Sequence, residues 1–435
     1  MKYYTILLIL ITPLAFAQQE TTLESYMDSQ ASINHFSGTV LVTKNDSILL
    51  KKAYGTADYE WKVPNTIDTK FSLASVSKQF TAVAIMQLVE KGKISLDDKL
   101  TKYYPNFPKG DQITIKMMLT HNAGFQMDYD ELYLAKTSLD KDSVANYIMQ
   151  KPLLFKPGSN TAYSNIGYYL LARIIEKISN QSYAAYLKVN LFDKAKMYNT
   201  GVSTNDSIVF KSAKTYYKKD DTLIKAPYIN WNFNIGHDGI YSTVEDLYLW
   251  NKALFNSTTI LNKVSKKKVL TSYNDHKFGF GLMVNPFYNQ NHKLIAHDGG
   301  FYGAMTSFNK FTNDNIFITV LSNNQSPSYL IAYGLAAILF KKSVELPYKH
   351  QLVKINPILY NEYAGKYGSV TILKRNKKLY YSNYDTELLP ESDVKFFIAN
   401  NYKTIKFIKN KKGKVIKIIV RKAGVAEIKK KTIVN

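Results

Sequence analysis

The stretch from Phe71 to Lys91 reads Phe-Ser-Leu-Ala-Ser-Val-Ser-Lys-Gln-Phe-Thr-Ala-Val-Ala-Ile-Met-Gln-Leu-Val-Glu-Lys. Beyond Ser75 it consists of helix formers with apolar groups on nearly every face: Phe80, Ala82, Val83, Ala84, Ile85, Met86, Leu88 and Val89. A helix that is apolar all round is a buried one, so the remaining chain must wrap it. Gly92 is placed to end it. Ser75 then stands at the N-terminus of a core helix, and Lys78, three positions on, shares its face. The helix N-terminus favours negative charge developing at the serine. A lysine held beside it in a dry pocket gives up its proton more readily than in water. That pairing is the start of an activated nucleophile. The tetrapeptide alone is weak evidence, because Ser-x-x-Lys recurs at Ser138/Lys141, Ser265/Lys268, Ser307/Lys310 and Ser392/Lys395. Context has to single out Ser75.

The N-terminus reads as an export signal. Lys2 precedes an apolar run from Ile6 to Phe16, and Ala15-Phe16-Ala17 is a small-x-small cleavage site. The run is short for a membrane span. Residues 1–17 are therefore expected to be removed, leaving no transmembrane segment and a periplasmic or secreted protein. The 435 residues contain no cysteine, which excludes disulfides, thiolate metal sites and a lipid-modified N-terminal cysteine. The seven histidines show no zinc spacing and no glycine-rich phosphate loop is present, so no metal, cofactor or nucleic-acid partner is expected. The formal charge of +23 comes from lysines scattered through the chain and clustered between Lys403 and Lys431. It reads as a compositional bias, with binding to an anionic surface as the other reading.

Periodicity predicts an amphipathic helix over residues 18–36 and a hairpin of Gly38–Thr43 and Ser47–Ala53 about Lys44-Asn45-Asp46. A mostly helical region follows to about residue 200, with helices over 140–150 and 166–178. Thr243 is an N-cap for a helix running to Leu254. Strands are predicted over Phe278–Val284, Lys293–His297, Gly303–Phe311 and Ile316–Asn323, then a closing helix over Tyr329–Phe340. This order suits an α+β fold in which an antiparallel sheet is built from both chain ends and flanked by helices, with an all-helical region inserted. Past residue 350, five short strand-like runs suggest a small β domain. The expected division is a signal over 1–17, a main domain over 18–345 and a C-terminal β domain over 350–435.

Taken in order, these stretches resemble the serine β-lactamase and penicillin-binding-protein superfamily. The likeness is closest to its class C β-lactamase, D-Ala-D-Ala carboxypeptidase, D-aminopeptidase and esterase branch. Its marks are the segment around Ser75 and Lys78, Lys91 to Asp98, Leu119-Thr120-His121-Asn122-Ala123-Gly124, Phe155-Lys156-Pro157-Gly158, Tyr163-Ser164-Asn165 and His297-Asp298-Gly299-Gly300. The resemblance implies a β-lactamase/transpeptidase-like fold. It implies Ser75 as nucleophile, Lys78 as its activating partner and Tyr163 as general base. Asn165 would touch Lys78 or the substrate, and the backbone N–H groups of Ser75 and Gly300 would form the oxyanion hole. Glycines at 299 and 300 let a substrate approach the strand edge. His121 is expected to buttress the site, and Asp238 and Gly239 to shape a loop.

The chain departs from the pattern at His297, where many relatives carry lysine, and at Lys194-Ala195-Lys196-Met197, where Pro-Leu-Gly-Met is usual. A histidine with an unperturbed pKa of about 6.5 is mostly neutral at pH 7. It is expected to weaken recognition of substrate carboxylates while still donating a hydrogen bond. The resulting expectation is an exported serine hydrolase acting through an acyl-enzyme on small-molecule or peptide substrates. Esters, amides, D-peptides, β-lactams and peptidoglycan fragments are the candidates. A non-catalytic cell-wall binding protein that keeps the fold is the alternative.

Overall fold

The computed structural model describes residues 22–136, 140–219, 222–286, 288–382, 385–399 and 402–432; the expected export signal lies outside them. A six-stranded antiparallel sheet is drawn from both ends of the main body. Its order is Met283–Val284, Leu294–Phe301, Ala304–Phe311, Ile316–Ser322, Gly38–Lys44, Ser47–Tyr54. The N-terminal hairpin turns at Asn45 and Asp46, both at positive φ, which suits the short polar side chains found there. Gly38 pairs with Ser322 and Lys44 with Ile316, so the two chain ends close at the sheet centre.

Strand alternation sorts the core into two layers. Val40, Val42, Leu294, Ala296, Ile318 and Val320 pack with the helices Leu23–Ile33 and Ser328–Leu339. Leu41, Ile295, Phe308, Phe317 and Leu321 face the opposite way, onto the layer that holds Phe80, Val83, Ile85 and Met86. The expected all-round burial of this helix is realised: every residue from Lys78 to Leu88 is buried. Its start differs from the sequence expectation. Ala74–Ser77 forms a 3₁₀ turn and the α-helix runs over Lys78–Glu90, so Ser75 sits in the tight turn ahead of the helix. Ala74 has φ 46°, a left-handed conformation that is costly for a residue with a Cβ and is typically kept at functional turns.

Two further boundaries move. Phe278–Val284 contributes only Met283–Val284 as strand, because glycines 279 and 281 sit in close backbone approaches that break the ladder. The next strand extends to Phe301. Beyond it, eight antiparallel strands from Gly365 to Lys430 form a barrel-like all-β unit around Tyr363, Tyr367, Phe396 and Phe407. Five runs were expected; the run over 365–373 divides into two strands at a turn, and Thr386–Pro390 and Val425–Lys430 are additional. The unit is fastened to the main body by the Val344–Val425 bridge and by Glu345, which pairs with Lys395 and Arg421.

Candidate active site

Four segments converge on Ser75. The backbone of Leu73 donates to Ile240 O at 2.8 Å, and Phe71 pairs with Ser242, so the nucleophile turn lies against the strand Ile240–Ser242. This brings in the preceding loop with His237 and Asp238. Ser164 caps the helix Asn165–Ser179 by accepting from Gly167 N–H, which places Tyr163 just outside the helix start. The strand Leu294–Phe301 passes on the other side, held by Thr306 Oγ1 donating to Leu73 O at 2.7 Å.

Lys78 Nζ lies 3.0 Å from Ser75 Oγ and 3.1 Å from the His237 carbonyl. Lys78 has no exposed surface, whereas Ser75 is half-buried and reachable. Burial pulls the Lys78 ammonium down to about 8, against the opposing fields of Asp238 and Asp128. The ammonium also sits 4.8 Å from the centre of the Tyr163 ring. Burial pushes the Tyr163 phenol well above its ordinary range, only partly countered by its hydrogen bond with Ser75. At neutral pH the phenol is therefore held protonated, and Lys78 is the easier group to deprotonate. His121 stacks on Tyr163 with ring centres 4.5 Å apart and accepts from Ser164 N–H through Nδ1, fixing the segment before the helix.

Asn165, expected to touch Lys78 or the substrate, makes no hydrogen bond to Lys78 among the described residues. Its Nδ2 donates to Asp128 Oδ2 at 2.7 Å, and its Oδ1 is buried with no hydrogen-bond partner. Asp238, expected only to shape a loop, places Oδ1 3.4 Å from Ser75 Oγ and accepts from Tyr133 OH at 2.7 Å through Oδ2. The Tyr133 bond and the His237 and Lys78 fields hold its carboxyl at about 2 despite burial, with the His237 contact the largest of these. Asp128, Tyr133 and His237 were missed altogether, since none lies in a recognisable motif. A sequence signal existed only for Asp238, an acid flanked by His237 and Gly239 just ahead of a capped helix.

His297 and Gly299 share the face toward Ser75, and Asp298 points to the other side, where it accepts from Tyr288 OH at 2.9 Å. Burial raises the Asp298 carboxyl to about 7. Burial and the Lys78 charge lower His297 to about 4, so it is neutral over the whole physiological range. Its Nδ1 is 2.7 Å from the Asp298 carbonyl, which only an N–H can satisfy. The remaining Nε2 is then an acceptor. The expected hydrogen-bond donation to a carboxylate is corrected: the donor is already spent on the backbone. A Cβ at position 299 would run into Leu73 O, Thr306 Oγ1 and Ser75 N, so only glycine fits there. Gly300, the next residue, is exposed.

Residues 22–338 match the family model described as Beta-lactamase. The chain belongs to this family. Its members are serine hydrolases, and the fold described above is theirs. Penicillin-binding protein 4* of Bacillus subtilis (strain 168) is 29% identical over 416 residues, covering 86% of this chain and 91% of that protein. Among solved structures, the octameric penicillin-binding protein homologue from Pyrococcus abyssi superposes with a TM-score of 0.67 at 23% identity, over 94% of this chain and 99% of that one. That coverage takes in the C-terminal β unit. A D-amino acid amidase from Ochrobactrum anthropi SV3 has the same fold in the main body, with a TM-score of 0.63 at 20% identity over 73% of this chain and 95% of the other. Among the described residues no helix is long and apolar enough to cross a membrane, and no cluster of His, Cys, Asp or Glu could hold a metal ion.

Proposed function

We propose that this β-lactamase-family protein is an exported serine hydrolase that works through an acyl-enzyme on Ser75. Lys78 is the base that takes the Ser75 proton, and the Tyr163 hydroxyl carries that proton onward to the leaving group. Oγ attacks the substrate carbonyl, and the backbone N–H groups of Ser75 and Gly300 hold the oxyanion. The leaving alcohol or amine departs with the proton. Water, deprotonated by the same Lys78–Tyr163 pair, then cleaves the Ser75 ester. The observation that carries this reading is the 3.0 Å contact between Ser75 Oγ and a wholly buried Lys78 whose ammonium is drawn down to about 8. A base poised near neutrality is what proton abstraction from serine needs.

The substrates proposed are esters, amides or D-peptides without a carboxylate beside the scissile bond, because a neutral acceptor at His297 has nothing to offer one. Peptidoglycan-derived compounds that meet this condition are included. The apolar run before Ala17 supports export and cleavage there, with the catalytic body over 18–345 and the β domain over 350–435. A fluorophosphonate probe tests the nucleophile: wild type is expected to label and Ser75→Ala not to. Equal labelling of the two would remove Ser75 from the reaction.

A further inference from the structure

The site holds more acceptor oxygens than it has donors to satisfy them. Asp128 uses Oδ2 for Asn165, while its Oδ1 is buried and unpartnered. Asn165 is 4% exposed, and its Oδ1 is also unpartnered. Asp238 Oδ1 meets only the long 3.4 Å contact with Ser75 Oγ. His237 is wholly buried, 3.4 Å from Asp238 Oδ2, with no well-formed hydrogen bond at either ring nitrogen. Asp128 makes no ion pair among the described residues, although it and Asp238 act on each other and both act on Lys78. Burial raises the Asp128 carboxyl, and the His237 ring and the Lys78 ammonium are the cationic or polar groups that both acids share. A buried acceptor without a donor is destabilising, the more so when it is charged. A ligand group that brings a positive charge and several N–H donors, and no acceptor, recovers that cost. A primary ammonium is such a group.

We propose that Asp128 and Asn165, with Asp238 alongside, form a subsite for the free α-ammonium of an aminoacyl substrate. The inference rests on Ser75 being the acylated residue. The carbonyl carbon under attack must sit over Ser75 Oγ, and an α-nitrogen is two bonds from that carbon. Only an amine on the acyl side can therefore be both cationic and this close to Asp238. The acyl groups passed to Ser75 are then unblocked amino acids, released from an amide or ester. The bound cation has a second effect. It adds a positive charge beside the two carboxylates and so disfavours the lysine cation, and the base is freed of its proton when the correct substrate is in place. An N-acylated substrate offers neither the charge nor the donors.

The test compares alanine 4-nitroanilide with its N-acetyl counterpart, in both enantiomers, with 4-nitrophenyl acetate as a neutral reference and Ser75→Ala as the blank. At pH 7 one enantiomer of the free amine is expected to exceed its acetylated form in kcat/KM by at least tenfold. That ratio is expected to fall at least tenfold in Asp128→Asn, whatever the variant's absolute rate. In wild type alone, the ratio should collapse as pH rises past about 8, where an α-amine loses its charge. Ser75-dependent hydrolysis of the acetate with no preference for either free amine overturns the ammonium subsite and leaves the hydrolase reading standing. A preference unchanged in Asp128→Asn, or indifferent to pH, also overturns it. No Ser75-dependent turnover of any of these compounds overturns the hydrolase reading, and the subsite with it.

Discussion

Replacing Asp238 by Asn keeps the side chain's shape and removes its charge, and the consequence runs against the usual effect of damaging an active site. Ser75 Oγ lies 3.0 Å from Lys78 Nζ and 3.4 Å from Asp238 Oδ1. The lysine and the carboxylate are therefore no more than about 6 Å apart. At an effective dielectric of about 20 that separation gives about 2–3 kcal/mol of attraction, and in bulk water about 0.7. One pKa unit is about 1.4 kcal/mol, so Asp238 holds the Lys78 pKa up by about 0.5–2 units. Without it, burial acts with less opposition and the ammonium drops below its present value of about 8. If neutral Lys78 is the base, kcat/KM for 4-nitrophenyl acetate rises through the free-enzyme pKa on the acid limb. Wild type is expected to show an apparent pKa near 8, and Asp238→Asn one lower by about 0.5–2 units, measured between pH 5.5 and 9.5 at constant ionic strength with the Ser75→Ala rate subtracted. Relative to its own plateau, the variant is then the more active protein at pH 6. An acid limb that stays in place or moves upward would refute the assignment of Lys78 as the titrating base.

Lys78→Met is expected to abolish turnover and raise stability. A lysine lowered from 10.5 to about 8 by burial binds fewer protons folded than unfolded between those values. Its cost is therefore fully present below about pH 8 and fades as pH rises toward 10.5. At pH 7 the gain is at most about 3 kcal/mol, less what Asp238 loses with its counter-charge; urea melts of both proteins at pH 7 and pH 10 should converge at the higher pH. Gly299→Ala puts a Cβ into Leu73 O and Thr306 Oγ1, and is expected to cost about 1–3 kcal/mol and to displace Ser75 enough to lower kcat about a hundredfold. A wild-type rate in that variant would mean the strand is free to move away from the nucleophile. His297→Lys is expected to raise kcat/KM for a carboxylate-bearing substrate such as benzylpenicillin at least tenfold relative to a neutral ester. In wild type that ratio should show no step at pH 6–7, because His297 titrates near 4; a step there would place its imidazole in a wetter setting.

The fold was legible where local pattern and tertiary environment agree. The hairpin at Asn45-Asp46, the cap at Thr243 and the buried helix after Ser77 all follow from side-chain chemistry within a few residues. Pattern failed where the environment overrides it. The residues around Gly279 and Gly281 look strand-like by composition, yet Gly281 is pressed against the backbone of Lys78 and Gly279 against Val269 O. The turn at Ala74 could not be foreseen either, since its positive φ is imposed by packing between Leu73, Ile240 and Thr306 rather than by its own side chain.

The site divides along the same line, with consequences for its chemistry. Ser75 and Lys78 lie three residues apart, so helix geometry alone joins them, and Tyr163 and His297 arrive with recognisable neighbours. Asp128 has no such mark, and Asp238 has only its place beside Gly239 ahead of a capped helix. They come from loops separated by more than a hundred residues and meet only because Asn165 N–H binds Met127 O and Leu73 N–H binds Ile240 O. Yet these two set the charge balance. From the motifs alone, the site is a lysine with a neutral tyrosine and a neutral histidine, a cationic pocket in which an anionic substrate would be welcome. With both carboxyl groups in place the field of the same lysine is opposed by Asp238 and Asp128. His297 presents an acceptor, and the unsatisfied oxygens of Asp128 and Asn165 add two more. Outside the N–H groups proposed for the oxyanion, the unpartnered oxygens of Asp128 and Asn165 favour donors and positive charge beside them. On the proposed reading, substrate preference turns on Asp128 and Asp238 as much as on the motif residues Asn165 and His297, while the proposed nucleophile and base, Ser75 and Lys78, are plain in the sequence.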